Sequence, residues 1–255
     1  EWLVAQGARH LILMGRRVPT PEADVKLKQL EQAGVEVRVV QGDVSRAIDV
    51  ERALSVAAES GQPLRGIIHS AGVLADAALV RQDWGRFSEV LAPKVQGAWH
   101  LHRLTLDQPL DFFVLYSSVA SFLGSRGQGN HAAANAYMDA LAHQRRALGL
   151  PALSVNWGAW AEIGSVVKHD VGGRVATQGL ELIAPERGLR ILEALMRQPE
   201  AQVAVMPIQW SVFRRQFEGQ AEPSWMAEIA AAAPAPAPDT ARSASAGGND
   251  RVERL

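Results

Sequence analysis

The chain has 255 residues, 47% of them hydrophobic, which suits one well-buried α/β domain and not two large ones. Its formal net charge is -1 from interspersed acids and bases, so charge points to neither a nucleic-acid nor a membrane surface. The absence of cysteine excludes disulfides and thiolate-held zinc or iron-sulfur centres. With no signal peptide or bilayer-length apolar run, a cytoplasmic protein that works on small molecules or other proteins is expected.

Glu1 to Gly7, EWLVAQG, reads as the last turns of an amphipathic helix stopped by Gly7, a helix without its beginning. Strands are then predicted at Arg9 to Met14, Val35 to Val40, Gly66 to His69, Asp111 to Tyr116, Leu153 to Asn156 and Val203 to Met206. Helical periodicity covers Pro21 to Ala33, Ser45 to Ser60, Trp84 to Leu106, Gly129 to Leu148 and Pro185 to Arg197. Short apolar strands alternating with helices predict a doubly wound, Rossmann-type parallel sheet, here truncated before its first helix. Residues 229–250 are Ala/Pro/Ser/Gly-rich and read as a linker or a disordered tail. RVERL, at 251–255, reads as the possible start of a following domain.

In such a fold ligands gather at the carboxyl ends of the strands, and each end carries something. Arg16 and Arg17 follow the first predicted strand; if that strand is the second of the fold, arginine there accommodates a 2′-phosphate and favours NADPH, although two solvated surface arginines are an equal reading. Asp43 and Val44 follow the second, with Asp43 placed to accept from an adenine amino group or simply to cap, and Ser45 placed to cap the next helix. Ser70, Ala71 and Gly72 follow the third, a small-residue turn that lets the backbone approach a ligand. His69 reads as a satisfied core histidine, and no metal site is assigned. Lys94 lies in a long predicted helix, where most lysines are solvated. The loop GSRGQGN matches neither a Walker loop nor GxGxxG. Residues 165–182 mix glycine, charge and isolated apolar residues, as a lid or an irregular connection does.

The longest informative stretch is LYSSVASFLGSRGQGNHAAANAYMDALAHQRRALG, from Leu115 to Gly149. With GRR, GDV, HSAGVL, APKVQGAWHLH and SVNWGAW it resembles the short-chain dehydrogenase/reductase superfamily, in particular the ketoreductase domains of modular type I polyketide synthases. The likeness covers roughly residues 1–226, so 1–228 is expected to be the catalytic domain, without its first strand and Gly-rich loop. The resemblance implies NADPH-dependent reduction of a β-ketoacyl chain tethered by phosphopantetheine to an acyl carrier protein, among neighbouring synthase domains. It also implies that Lys94, Ser118 and Asn135 are catalytic.

One position departs. The family's tyrosine stands thirteen residues after the serine and four before the amide, and here that residue is His131. Of the two tyrosines, Tyr116 precedes the serine, and Tyr137 sits about 120° around the helix from His131. Hydride transfer to a ketone leaves an alkoxide, so the site needs a proton donor. His131 is a poor one beside cationic Lys94, and its ring is shorter than a phenol. Low or absent reductase activity is therefore expected, the alternative being a redox-silent structural domain of the same assembly line. A free-standing reductase of small alcohols is a third reading and calls for a complete Gly loop. Leu74-Ala75-Asp76, with Leu123 where the opposite class has tryptophan, resembles the class that sets the D-configured alcohol. The absence of proline after His131 resembles domains that do not epimerise.

Overall fold

The computed structural model describes residues 1–161, 179–217 and Met226. The expected linker at 229–250, the segment 251–255 and most of the Gly-rich stretch 165–182 lie outside the described residues. The chain divides into two units, Glu1–Phe213 and Arg214–Leu255, and every element that positions the site belongs to the first.

After a short helix α1 (Trp2–Ala5), strands and helices alternate as their apolar spacing predicts. Strand β1 (His10–Gly15) pairs in parallel with β2 (Glu36–Gln41), Gly15 opposite Gln41. Helix α2 (Pro21–Gln32) lies between them, started by Thr20, whose hydroxyl accepts from the Ala23 amide at 3.3 Å, with Pro21 in its first turn. Strands β3 (Gly66–His69), β4 (Phe112–Ser118), β5 (Leu153–Trp157) and β6 (Gln202–Val205) form a second parallel sheet in that order. The expected single sheet is thus present as a pair and a quartet. Side chains link the two: a Cβ at Gly97 would lie 2.8 Å from Val44 and 3.4 Å from His69, and His100 Nε2 donates to the Ser45 carbonyl at 3.2 Å.

Alternation along β4 explains the double winding. Phe113 and Leu115 pack with Met138, Leu141 and Ala142 of α7 (Gly129–Ala147) and with Ala98. Val114 turns the other way, to Val155, Trp157, Ile183 and Leu192 of α8 (Pro185–Leu195). Arg145 is wholly buried at the far end of α7, 4.0 Å over the Phe113 ring. It donates to the Pro151 carbonyl at 3.1 Å and to His102 Nδ1 at 3.0 Å, which requires a neutral His102 ring.

Two expectations need correcting. The helix predicted over Trp84–Leu106 is three pieces: α4 (Trp84–Leu91), a widened π turn at Ala92–Gln96, and α5 (Gly97–Leu104). Pro93 has no N–H to give a regular α ladder, and the widened turn directs Lys94 inward. Ser45 does not cap α3 (Ala47–Glu59), which begins after Arg46 without a side-chain cap. The Ser45 amide and hydroxyl instead donate to Asp43 Oδ1, at 2.9 and 2.7 Å, closing an Asx turn.

Gly188 lets the Trp160 ring lie directly on α8, since any Cβ there would overlap the indole. Gly188→Ala is expected to lower stability by about 1–3 kcal/mol through overpacking, read as a lower urea midpoint at unchanged slope.

Candidate active site

The site is built where β3 and β4 end and α7 begins. Ser118 is the last residue of β4, opposite Trp157 of β5, and its hydroxyl accepts from the Ala120 amide at 3.2 Å. The turn of helix α6 (Ala120–Leu123) follows, ended by Gly124 in the left-handed region at φ 73°, where a Cβ would be strained. The chain then enters α7, and His131 and Asn135 stand one turn apart on it. The fully buried Asn135 donates from Nδ2 to the His131 carbonyl at 2.7 Å, and its own carbonyl accepts from Ser117 Oγ at 3.4 Å. Asn135 Oδ1 and His131 Nδ1 are buried and find no hydrogen-bond partner among the described residues.

Lys94 is not solvated. It is 6% exposed, and its ammonium donates to the Tyr116 carbonyl at 3.0 Å, two residues before Ser118. Burial pulls its pKa down to about 8, against the opposing pull of Asp139. Burial, reinforced by the Lys94 charge, likewise takes His131 down to about 4, so its imidazole is neutral at pH 7. His69 is the buried, satisfied histidine the sequence suggests. Its Nε2 donates to the Pro93 carbonyl at 3.0 Å, and burial, then Lys94, lowers its pKa to about 4.

Of the residues expected to face a nucleotide, Arg16, Arg17, Asp43 and Val44 follow the neighbouring strands β1 and β2, whereas the turn after β3 reaches Lys94. Arg16 and Arg17 are exposed after β1. Burial acts to raise the Asp43 carboxyl, but the Ser45 amide and hydroxyl and the Arg16 charge outweigh it and hold it below its usual range. Val44 packs beside Gly97, as described above. Ser70, Ala71 and Gly72 are exposed after β3, and a Cβ on Gly72 would come within 3.0 Å of Lys94 Cε. Glycine there keeps the turn and the lysine in contact. An exposed arginine pair beside a held carboxylate, with a small-residue turn against the lysine, fits a dinucleotide carrying a 2′-phosphate.

Three residues of this site went unread in the sequence. Asn130 is fully buried and ties three segments: its Nδ2 donates to the Ala75 carbonyl at 2.9 Å and the Arg86 carbonyl at 3.3 Å, while Oδ1 accepts from the His131 amide at 2.8 Å. Around it Gln128 donates to Asp76 at 2.9 Å, and Gln82 bridges the carbonyls of Ala77 and Gly127 at 3.2 and 3.3 Å. The loop after β3 is therefore fastened to the entry of α7. Asn130→Ala leaves buried partners unpaired and is expected to cost about 2–4 kcal/mol, measured by urea unfolding. Asp139 and Asn156 form a second buried group, linked at 2.8 Å. Asp139 follows Asn135 by one helical turn, and Asn156 interrupts an apolar strand. Those were the available signals.

Parallel strands alternating with helices, with an inward lysine, a strand-end serine and a helix amide gathered at the strand ends, define an α/β domain of the Rossmann class. The KR domain family model matches residues 1–162. The chain is 41% identical to polyketide synthase GfsA of Streptomyces halstedii over 218 residues, 85% of this chain and 3% of that protein. It is 38% identical to a mycocerosic acid synthase-like polyketide synthase of Mycobacterium tuberculosis (strain ATCC 25618 / H37Rv) over 82% of this chain and 10% of that one. A solved A-type ketoreductase from a modular polyketide synthase superposes with a TM-score of 0.81 at 37% identity, over 87% of this chain and 47% of that chain. The chain belongs to the ketoreductase domains of modular polyketide synthases, in the short-chain dehydrogenase/reductase superfamily. It spans a tenth or less of these curated relatives and about half of the solved domain. Among the described residues no helix is long and apolar enough to cross a membrane.

Proposed function

We propose that this chain is part of a ketoreductase domain descended from NADPH-dependent reductases of acyl-carrier-protein-bound β-ketoacyl intermediates, and that reduction to the β-hydroxyl is slow or absent in it. The observation that carries this reading is the half-buried, neutral His131 beside Lys94, at the position of the family's tyrosine. Ser118 would hold the carbonyl oxygen, Lys94 the adjoining positive charge, and Asn135 the helix turn that carries His131. Arg16 and Arg17 would take the 2′-phosphate of NADPH, Asp43 and Val44 its adenine, and Ser70, Ala71 and Gly72 the side nearest Lys94. When bound, NADPH supplies the hydride. The protein's task is then to place a proton on the alkoxide oxygen, and a neutral imidazole does this poorly.

With that donor disarmed the β-keto group passes on unreduced, and the domain's contribution to a cytoplasmic assembly line is architectural. Its partners would be the phosphopantetheine-bearing carrier protein and the neighbouring domains, with residues 1–228 as the reductase domain and 229–250 as the link onward. Asp76 and Leu123 favour the D-configured alcohol as the ancestral product.

The retained Lys94, Ser118 and Asn135 favour a second reading, slow reduction with a ring N–H of His131 as donor. NADPH oxidation by the intact synthase with a diketide thioester separates the two. We expect NADPH to bind and no turnover to follow. Turnover abolished by His131→Ala would establish the second reading.

A further inference from the structure

Among the described residues two carboxylates are buried, Asp49 and Asp139. Asp49 has cationic partners, Arg52 at 2.9 Å and Arg46 at 3.8 Å. Asp139 is 6% exposed and held by neutral donors: Ser154 Oγ at 2.6 Å on Oδ1 and Asn156 Nδ2 at 2.8 Å on Oδ2. A buried carboxylate is costly unless something nearby benefits from its charge.

Two things do. Asn156, itself fully buried, turns the same Nδ2 towards the end of β4: it lies 3.1 Å from Ser117 Oγ, 3.3 Å from the Ser118 carbonyl and 2.8 Å from Ser121 Oγ. Its Oδ1 accepts from Gln202 at 3.0 Å, and Gln202 in turn meets His143 at 3.1 Å, so the amide is fixed at both ends. The second is Lys94, a buried cation hydrogen-bonded to the Tyr116 carbonyl. The charged and titratable groups acting on this pocket are His69 from β3, and His131 and Asp139 from α7. Of these, Asp139 favours the ammonium. His131, Asn135 and Asp139 follow one another at four-residue spacing, so one face of α7 presents the proton-donor position, the helix amide and this carboxylate.

We propose that Asp139 is a positioning residue of this site: it anchors Asn156, and through it the end of β4 that carries Ser118. The inference rests on the reductase frame described above but not on that frame being active. Its test reads the end of β4 directly.

In the intact synthase, hydrogen exchange followed by peptide mass spectrometry reads the end of β4 at residues 117–121, with β1 and β2 as internal controls. Asp139→Asn is expected to raise exchange there severalfold while the controls stay put, because Asn156 loses its charged anchor. Asp139→Ser, smaller and also neutral, should do the same if the isosteric variant folds poorly. Asp139→Glu, which keeps the charge, should hold the wild-type rate. Unchanged exchange at 117–121 in either folded neutral variant, or an equal rise in Asp139→Glu, overturns the proposal. NADPH oxidation is measured separately, so loss of the reductase reading leaves this result standing.

Discussion

His131→Tyr in the intact synthase is expected to raise NADPH-dependent reduction of a β-ketoacyl thioester by on the order of 10²-fold or more over the wild type, the usual worth of a positioned proton donor. The reason is a difference of sign. Lys94 is a buried ammonium beside position 131, and a nearby cation lowers the pKa of either residue placed there. For imidazolium that is disabling: at about 4, only about one ring in a thousand carries the acidic proton at pH 7. For a phenol, whose ordinary value is about 10, the same charge makes the neutral, proton-bearing form a stronger acid near working pH. One lysine thus favours proton donation from a tyrosine and suppresses it from a histidine. The phenol also reaches farther, and about 1 Å of misplacement can cost on the order of 10²-fold. The measurement is single-turnover oxidation of NADPH with a diketide thioester, alongside His131→Ala as the side-chain-free baseline. A folded His131→Tyr protein that binds NADPH yet stays at that baseline would place the defect elsewhere in the site.

Acid should unfold this domain in a window set by histidines, above the one set by carboxylates. His69 and His131 are both neutral in the native state, with pKa values near 4 against about 6.5 unfolded. Each is a depressed group, so the unfolded chain binds protons that the native state refuses. The stability they confer is complete above about pH 6.5 and is lost as pH falls towards 4. Each proton contributes a slope of about 1.4 kcal/mol per pH unit, and the full shift is worth about 3 kcal/mol per histidine. Together that rivals the whole stability of an ordinary domain. His102 adds to the same trend, its pKa lowered by burial and by the Arg145 guanidinium that donates to its ring. Asp43, held below its usual range, acts only at lower pH. Urea midpoints taken between pH 7 and pH 4 should fall steeply, and His69→Gln, which keeps a donor for Pro93 but cannot titrate, should remove about one proton from the slope. A flat profile over that window would mean these rings are solvated and not buried.

How much of this was legible beforehand differs by level. Strand and helix positions followed from apolar spacing, because the period of a strand or helix is a local property of the chain. Helix interruption at Ala92–Gln96 was not read from the sequence, although Pro93 signals it, because a widened turn is decided by what the neighbouring lysine must reach. Ser45 was assigned to a cap and instead closes a turn onto Asp43, a choice between two local hydrogen bonds that spacing leaves open.

The candidate site divides in the same way. By itself the sequence determined which residue types stand at which intervals: Ser118, then His131 thirteen residues on, then Asn135 after four more, with Lys94 upstream and no tyrosine in register. That order carried both the resemblance and its one departure. Only the tertiary structure decided the protonation states and supports on which the chemistry depends. It buried Lys94 against the Tyr116 carbonyl, left His131 neutral beside it, and set Asn130, Asp139 and Asn156 beneath them. The physical reason is that charge state depends on solvent exclusion and on groups brought close in space. Those neighbours come from β3, β4, β5 and α7, segments far apart in the chain that meet only when the sheet is wound.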